Sequence, residues 1–297
     1  MTRSRLLRAL GAASLAGAAG CGPEPPKTLS VGAKDFTEEY VLGELYAQVL
    51  ERRGYRITRK FALGGTQVAM AALLRGDIDL YPEYTGTAWL SILKEATPAP
   101  HDPRRLYAAV RTTFARRYDL TWLAPAPFDD SQALATTRAT AQRYGLRTLG
   151  DVAREAPHLR LGAIPEFVSR ADGLAGLKRA YGGFDFESVR LFDIGLKYRA
   201  LESGSVDVVV AFGTDPQVEA DRLVLPVDTK HVWPDYQAAP VVRADALRRN
   251  PTLAAALDAL APLLTDEVMR RLNGEVDLRH RDPADVAGDF LAGHASV

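Results

Sequence analysis

Along this chain short apolar runs alternate with amphipathic stretches. Residues 29–33 read as a strand. The stretch after them places Val41, Leu42, Leu45 and Val49 on one helical face, with Thr37 as its predicted cap and Gly54 past its end. Residues 56–61 predict a second strand, Gly64-Gly65 a turn and residues 66–75 a helix that runs out at Gly76, which suits a left-handed C-terminal position. A buried strand is predicted over residues 78–81. It is expected to stop at Pro82, which has no amide hydrogen for a central ladder. Tyr84-Thr-Gly-Thr87 reads as a turn opening a helix over about 86–94, and another helix covers 103–118. Further strands are predicted at 120–123, 133–137, 159–164, 189–192 and 206–212, with helices near 168–181 and 197–203 and a helical tail from Asp245. Such alternation argues an α/β fold of mostly parallel sheets flanked by helices.

The pattern repeats within the chain. Leu29-Ser-Val-Gly-Ala-Lys-Asp-Phe36 resembles Leu159-Arg-Leu-Gly-Ala-Ile-Pro-Glu-Phe167, and Arg75-Gly-Asp-Ile-Asp79 resembles Ser203-Gly-Ser-Val-Asp207. The offsets agree closely: 130 residues from Gly32 to Gly162, and 128 from Asp79 to Asp207. Two similar α/β lobes, their strand ends facing one crevice, would close on a ligand by hinge motion. Tyr84, Thr85, Thr87 and the free amides of a helix start would lie at a strand's C-terminal end, where open α/β sheets bind ligands. A tyrosine packed on a loop, with Thr85 as a helix cap, is the plainer alternative.

Composition narrows the class. The chain has 297 residues, 47% of them apolar, and a formal net charge of zero, so it can build a full core and has no basic excess for nucleic acid. The N-terminus stands apart: Arg3, Arg5 and Arg8 precede a small-residue apolar run that ends at Cys21, the pattern of a secretory signal over residues 1–21. Cys21 follows Ala-Ala-Gly and reads as the lipidated first residue of an exported lipoprotein; an ordinary cleaved signal is the alternative. Losing those three arginines leaves 34 basic against 37 acidic residues, a mature charge of −3. No other cysteine remains for a disulfide, redox pair or thiolate metal site. Residues 22–27, with three prolines, read as a tether. No later run approaches the roughly 18 apolar residues of a membrane helix.

Catalytic patterns are hard to find. The five histidines are scattered, without the spacing of a zinc helix, and there is no Gly-x-Ser-x-Gly elbow, Walker loop or dinucleotide fingerprint. No metal or cofactor is expected. Gly64-Gly65-Thr66 suits an anion at a helix start, but a turn plus cap explains it more simply. Asp129-Asp130 suits an acid pair, but more often such residues are a solvated cap.

Gly32-Ala-Lys-Asp-Phe-Thr-Glu38, Gly76-Asp-Ile-Asp-Leu-Tyr-Pro-Glu-Tyr-Thr-Gly-Thr87, Ala211-Phe-Gly-Thr-Asp215, Pro234-Asp-Tyr-Gln-Ala-Ala-Pro-Val-Val242 and Leu272-Asn-Gly-Glu-Val-Asp277 resemble the osmoprotectant-binding proteins of bacterial ABC importers. That family captures glycine betaine, choline, carnitine and related quaternary amines. The resemblance runs from about Leu29 to about Leu291. It implies a two-lobed type II periplasmic-binding-protein fold, with one lobe from residues 28–128 and 232–297 and the other from 129–231. It also implies an exported receptor, anchored by lipid at the outer face of the cytoplasmic membrane or in the periplasm, that serves a separate permease and ATPase.

By the same resemblance, Tyr84 and Tyr236 match cage tyrosines around the ammonium head, Asp130 an acid beside it, and Thr87 a carboxylate-binding hydroxyl. Lys34 and Arg170 match cationic positions, Arg170 being read in the first turn of a helix. The chemistry suits: a quaternary ammonium is held by ring faces, each worth about 0.5–2 kcal/mol, and a carboxylate by charge-assisted donors. Two positions depart from the family pattern. Gln132 and Phe212 stand where many members place cage tyrosines, which makes one side of the cage more polar. This implies weak betaine binding or a ligand with a further polar group near its cationic head. Tyr198 reads as packing. The competing expectations are a receptor for another amino-acid-like solute and an exported hydrolase on the same scaffold.

Overall fold

A computed structural model describes residues 27–95 and 99–294. The predicted signal, Cys21 and all of the tether but Lys27 lie outside the described residues. The strands are β1 (Thr28–Gly32), β2 (Arg56–Lys60), β3 (Leu80–Tyr84), β4 (Leu120–Trp122), β5 (Gln132–Thr136), β6 (Arg160–Ala163), β7 (Ser188–Leu191), β8 (Val208–Phe212) and β9 (Ala238–Arg243). They form two sheets, ordered β2-β1-β3-β9-β4 and β5-β8-β6-β7. Read from its other edge, β7-β6-β8-β5, the second sheet repeats the first four strands of the first. In each sheet one strand runs against the rest: β9 against β3 and β4, and β5 against β8.

The internal repeat has a structural cause. Asp79 takes the Ser30 N–H on its carboxylate and returns its own N–H to the Ser30 carbonyl, both at 2.8 Å. Asp207 does the same with Arg160, again at 2.8 Å. The residue before each aspartate explains the paired glycines: a Cβ on Gly32 would lie 2.5 Å from Ile78, and one on Gly162 would lie 3.1 Å from Val206. One aspartate and one glycine per lobe thus lock two parallel strands side by side.

Both faces of the first sheet are covered, so β3 is buried along its whole length. Helix α1 (Thr37–Arg52) and the C-terminal helices pack on one face; α2 (Thr66–Arg75) and the helix Pro103–Tyr118 pack on the other. Apolar clusters likewise cover both faces of the second sheet. The two connecting segments run side by side, Asp129 bridging to Gln237 and the Asp130 N–H bonding the Tyr236 carbonyl at 3.2 Å. Lobes joined by two short crossings can rotate as bodies.

Several local expectations need correction. Strand β3 continues through Pro82 to Tyr84. Pro82 sits opposite Pro240, between the bonded pairs Tyr81–Val241 and Glu83–Ala239, so its nitrogen points away from β9. On its other side β1 has ended, its sole pairing to β3 being Val31 with Leu80. No ladder bond is lost. Thr37 does not cap α1: Phe36 holds that position, and the Thr37 hydroxyl donates to Asp277 at 2.5 Å. Thr85 likewise lies inside a short helix and bonds the Asp235 carbonyl. The helix expected over 168–181 is two, Pro165–Ser169 and Leu174–Tyr181, split around Arg170 to Gly173. Arg170 therefore caps a C-terminus, where the helix dipole favours a cation. Asp129-Asp130 is no solvated cap: Asp130 is buried, and Asp129 accepts the Tyr236 N–H at 2.6 Å.

Candidate functional site

The C-terminal ends of β1, β3, β6 and β8 face one cavity between the sheets, joined there by the N-terminal ends of the reversed strands β5 and β9. Lys34, Tyr84, Thr87, Asp130, Gln132, Arg170, Phe212 and Tyr236, the eight residues singled out from the sequence, all line it. Phe36, Glu38, Glu166, Asp215, Asn273 and Asp277 line it too and were not singled out.

Tyr84 stands at the centre of the first lobe's wall. Phe36 stacks beside it, ring centroids 6.3 Å apart. The Tyr84 hydroxyl donates to Glu38 at 2.7 Å, and Asn273 donates to the other oxygen of Glu38 at 2.8 Å. Below the ring lies a buried ion cluster. The Lys34 ammonium is 4.6 Å from the Tyr84 centroid, 2.8 Å from Glu83 and 3.4 Å from Glu39. Burial opposes its charge, but Glu39 and Glu83 outweigh that and hold its proton more tightly. Tyr81 and the Tyr84 N–H complete the bonds to Glu83. The bonds that Glu83 takes from Lys34, Tyr81 and the Tyr84 N–H fix the ring in place.

The polar side of the cavity converges on Asp172, a buried residue that sequence reasoning passed over. Its carboxylate accepts from Arg170, from the Tyr236 hydroxyl at 2.7 Å and from Gln132 at 3.1 Å. Against burial, the Arg170 hydrogen bonds and charge hold the Asp172 carboxyl below the usual carboxylate range. Three residues predicted to touch ligand are thus tied to one another through an acid the ligand does not supply. Arg170 also reaches Thr87 across the cleft at 3.4 Å. Tyr236 lies flat on Gly86, where a Cβ would fall 2.8 Å from its ring, which accounts for the glycine in Tyr-Thr-Gly-Thr.

In the second lobe Phe212 ends β8 as Tyr84 ends β3. Lys197, buried outside the cavity lining, places its ammonium 5.0 Å from the Phe212 centroid and 4.4 Å from Tyr198, and pairs with Asp215 at 3.1 Å. Tyr198 also donates to Asp215, so it does more than pack. Asp130 accepts the Thr214 hydroxyl at 2.6 Å. Burial pushes Asp130 well above the usual carboxylate range, and the charges of Glu38 and Asp215 push the same way. Burial likewise raises Glu38. This end of the cavity is acidic, and the partners of Glu38 and Asp130 described here are neutral.

The arrangement joins aromatic faces to two carboxylates, Glu38 and Asp130, whose described partners are neutral, the setting that suits an organic ammonium ion. Comparison with known proteins places it. The family described as the substrate binding domain of ABC-type glycine betaine transport systems matches residues 27–293. The chain belongs to this family. A glycine-betaine-binding protein of Pseudomonas aeruginosa is 34% identical over 305 residues, 98% of this chain and 95% of that protein. An ergothioneine transport permease/ergothioneine binding protein of Helicobacter pylori is 35% identical over 266 residues, 89% of this chain. The chain spans 47% of that relative's length. The solved structure of a glycine betaine/carnitine/choline ABC transporter protein aligns with a TM-score of 0.72 at 31% identity, covering 90% of this chain and 98% of that one. The fold is the two-lobed type II periplasmic-binding-protein fold. Members of the family are transport binding proteins, and this chain is a solute-binding receptor of an ABC importer. No helix among the described residues is long and apolar enough to cross a membrane.

Proposed function

We propose that the cleft captures a small quaternary amine, its ammonium head held by Phe36, Tyr84 and Phe212 against Glu38 and Asp130. Tyr236, Gln132, Thr87 and Arg170 face the remainder of the ligand, and Lys34 holds Tyr84 in place from below. The observation that carries the reading is the pairing of the Phe36–Tyr84 stack with Glu38 and Asp130, carboxylates whose described partners are all neutral. The names of the relatives, which include glycine betaine and ergothioneine, agree with that class.

The receptor is exported, tethered by a lipid on Cys21, and passes its ligand to a separate permease driven by its own ATPase. Residues 28–128 with 232–297 form one lobe and 129–231 the other, the paired crossings beside Asp129 and Gln237 serving as the hinge. Calorimetric titration with glycine betaine, carnitine, choline and ergothioneine, with proline and arginine as controls, tests the reading. Saturable binding to at least one of the four, the ligand recovered unchanged, is expected. Silence across all four in folded, ligand-free protein would overturn it.

A further inference from the structure

The turn Gly64-Gly65-Thr66 does hold an anion, and the anion is the protein's own. Glu166, on the helix Pro165–Ser169 beyond β6, reaches across the cleft and accepts the Thr66 N–H at 3.1 Å. Helix α2 has no cap from its own side chains and no acid in its first turn. Glu166 supplies both from the other lobe. Gly65 makes the room: a Cβ there would lie 2.1 Å from Glu166 Oε1. The Gly65 backbone, φ −81° and ψ 180°, is extended and open to any residue. What the missing side chain provides is therefore space for the carboxylate, not conformational freedom.

Glu166 lines the same cavity as Lys34 and Arg170. Its field reaches both. Against the cost of burial, Lys34 is held protonated by Glu39 and Glu83 and, less strongly, by Glu166; Arg170 is held by Asp172 with the same addition. Each positive group among the described cavity residues already has a protein carboxylate: Lys34 has Glu39 and Glu83, and Arg170 has Asp172; the start of α2 has Glu166. By contrast, Glu38 and Asp130 meet Tyr84, Asn273 and Thr214, all neutral. The cleft offers unmatched negative charge to a ligand's head and no unmatched positive charge to its tail.

We propose that Glu166 is a built-in counter-anion that sets ligand selectivity: it fills the place a ligand carboxylate would take, so the cleft prefers a quaternary ammonium with an uncharged tail to one bearing a carboxylate. This rests on the quaternary-amine reading of the cleft. A zwitterion must displace Glu166 or lie against it; a simple cation does neither.

Choline and glycine betaine make the test, since they share a trimethylammonium head and differ in a hydroxyl against a carboxylate. Titrate both against the wild-type protein, Glu166→Gln, Glu166→Ala and Gly65→Ala. The wild type is expected to favour choline. Glu166→Gln and Glu166→Ala should each move the ratio of the two dissociation constants toward glycine betaine by about tenfold. Gly65→Ala keeps the acid but bars its seat, and should move the ratio the same way from the opposite lobe. An equal loss of both ligands would make Glu166 a closure contact only and overturn the proposal. So would a ratio that moves in Glu166→Ala but not in Glu166→Gln, because size rather than charge would then be responsible. So too would a ratio untouched by Gly65→Ala. Failure of both probes to bind any of the folded proteins would instead overturn the quaternary-amine reading itself, and this proposal with it.

Discussion

Tyr84 and Phe212 occupy matching places in the two lobes, each the last residue of a central strand with a lysine ammonium near its ring. What surrounds them differs. Lys34 meets two carboxylates whose side chains are fully buried, and Tyr84 is tied through its hydroxyl to Glu38. Lys197 meets one carboxylate whose side chain is 17% exposed, and Phe212 has no hydroxyl to tie. The first lobe thus presents a ring clamped by charge and hydrogen bonds on several sides. The second presents a ring held mainly by packing. A receptor built this way keeps one wall of its cage fixed and leaves the other free to vary with the ligand.

The sharpest way to break this comparison is to remove each lysine. Lys34→Met strands Glu39 and Glu83 in the interior and is expected to cost about 3–5 kcal/mol, the range for breaking a buried pair. Lys197→Met strands Asp215 alone, which keeps some water and bonds to Tyr198 and the Phe212 N–H; about 1–3 kcal/mol is expected. Urea unfolding of both variants measures the difference. A loss in Lys197→Met as large as in Lys34→Met would mean the lobes are anchored alike.

Next come the rings themselves. Tyr84→Ala removes the clamped face and the hydroxyl, and should weaken binding of a quaternary amine at least tenfold, about 1.4 kcal/mol. Phe212→Ala removes a partly exposed face and should cost less, about 0.5–1 kcal/mol. Calorimetric titration with the ligand that the wild type binds best compares them. Equal losses would assign the two rings equal parts in the cage.

How much of this was legible in the sequence follows the same division. The repeat was visible because the same backbone demand, a glycine and an aspartate locking two parallel strands, is made twice, at Gly32 with Asp79 and at Gly162 with Asp207, so the spacing recurs. The cavity positions were visible as residues at strand ends, and the family resemblance named eight of them. Their partners were not visible. Asp172 gathers residues 40 and 64 positions away, and Glu166 reaches 100 positions to Thr66; no local pattern announces such pairings. Pro82 misled because the rule against proline in a central strand assumes a neighbour on both sides, and β1 stops before reaching it. Arg170 was misplaced because the sequence reading ran one helix through Gly173, the glycine at the break, where a Cβ would fall 1.8 Å from the Phe167 carbonyl oxygen.

The smallest expected effect is the most diagnostic of the acidic end. Burial, then neighbouring charge, raises Asp130 above the usual carboxylate range in the ligand-free cleft, and burial raises Glu38. The groups facing this pair are Tyr84, Thr214 and Asn273 as donors, with Asp215 adding negative charge. An arriving cation favours the ionised form, so it lowers both values. Between the cation-bound and ligand-free values the free cleft holds more protons than the complex, and binding must release the difference. Affinity for a quaternary amine should therefore rise with pH across that window and level off above it, by a few-fold in all. Titrations in buffers of different ionisation enthalpy should show the proton release directly. Asp130→Asn keeps an acceptor for the Thr214 hydroxyl but removes one of the titrating charges, so it should bind more weakly at neutral pH with a shallower slope. An affinity independent of pH, with no proton released on binding, would show that the head of the ligand does not sit beside this pair.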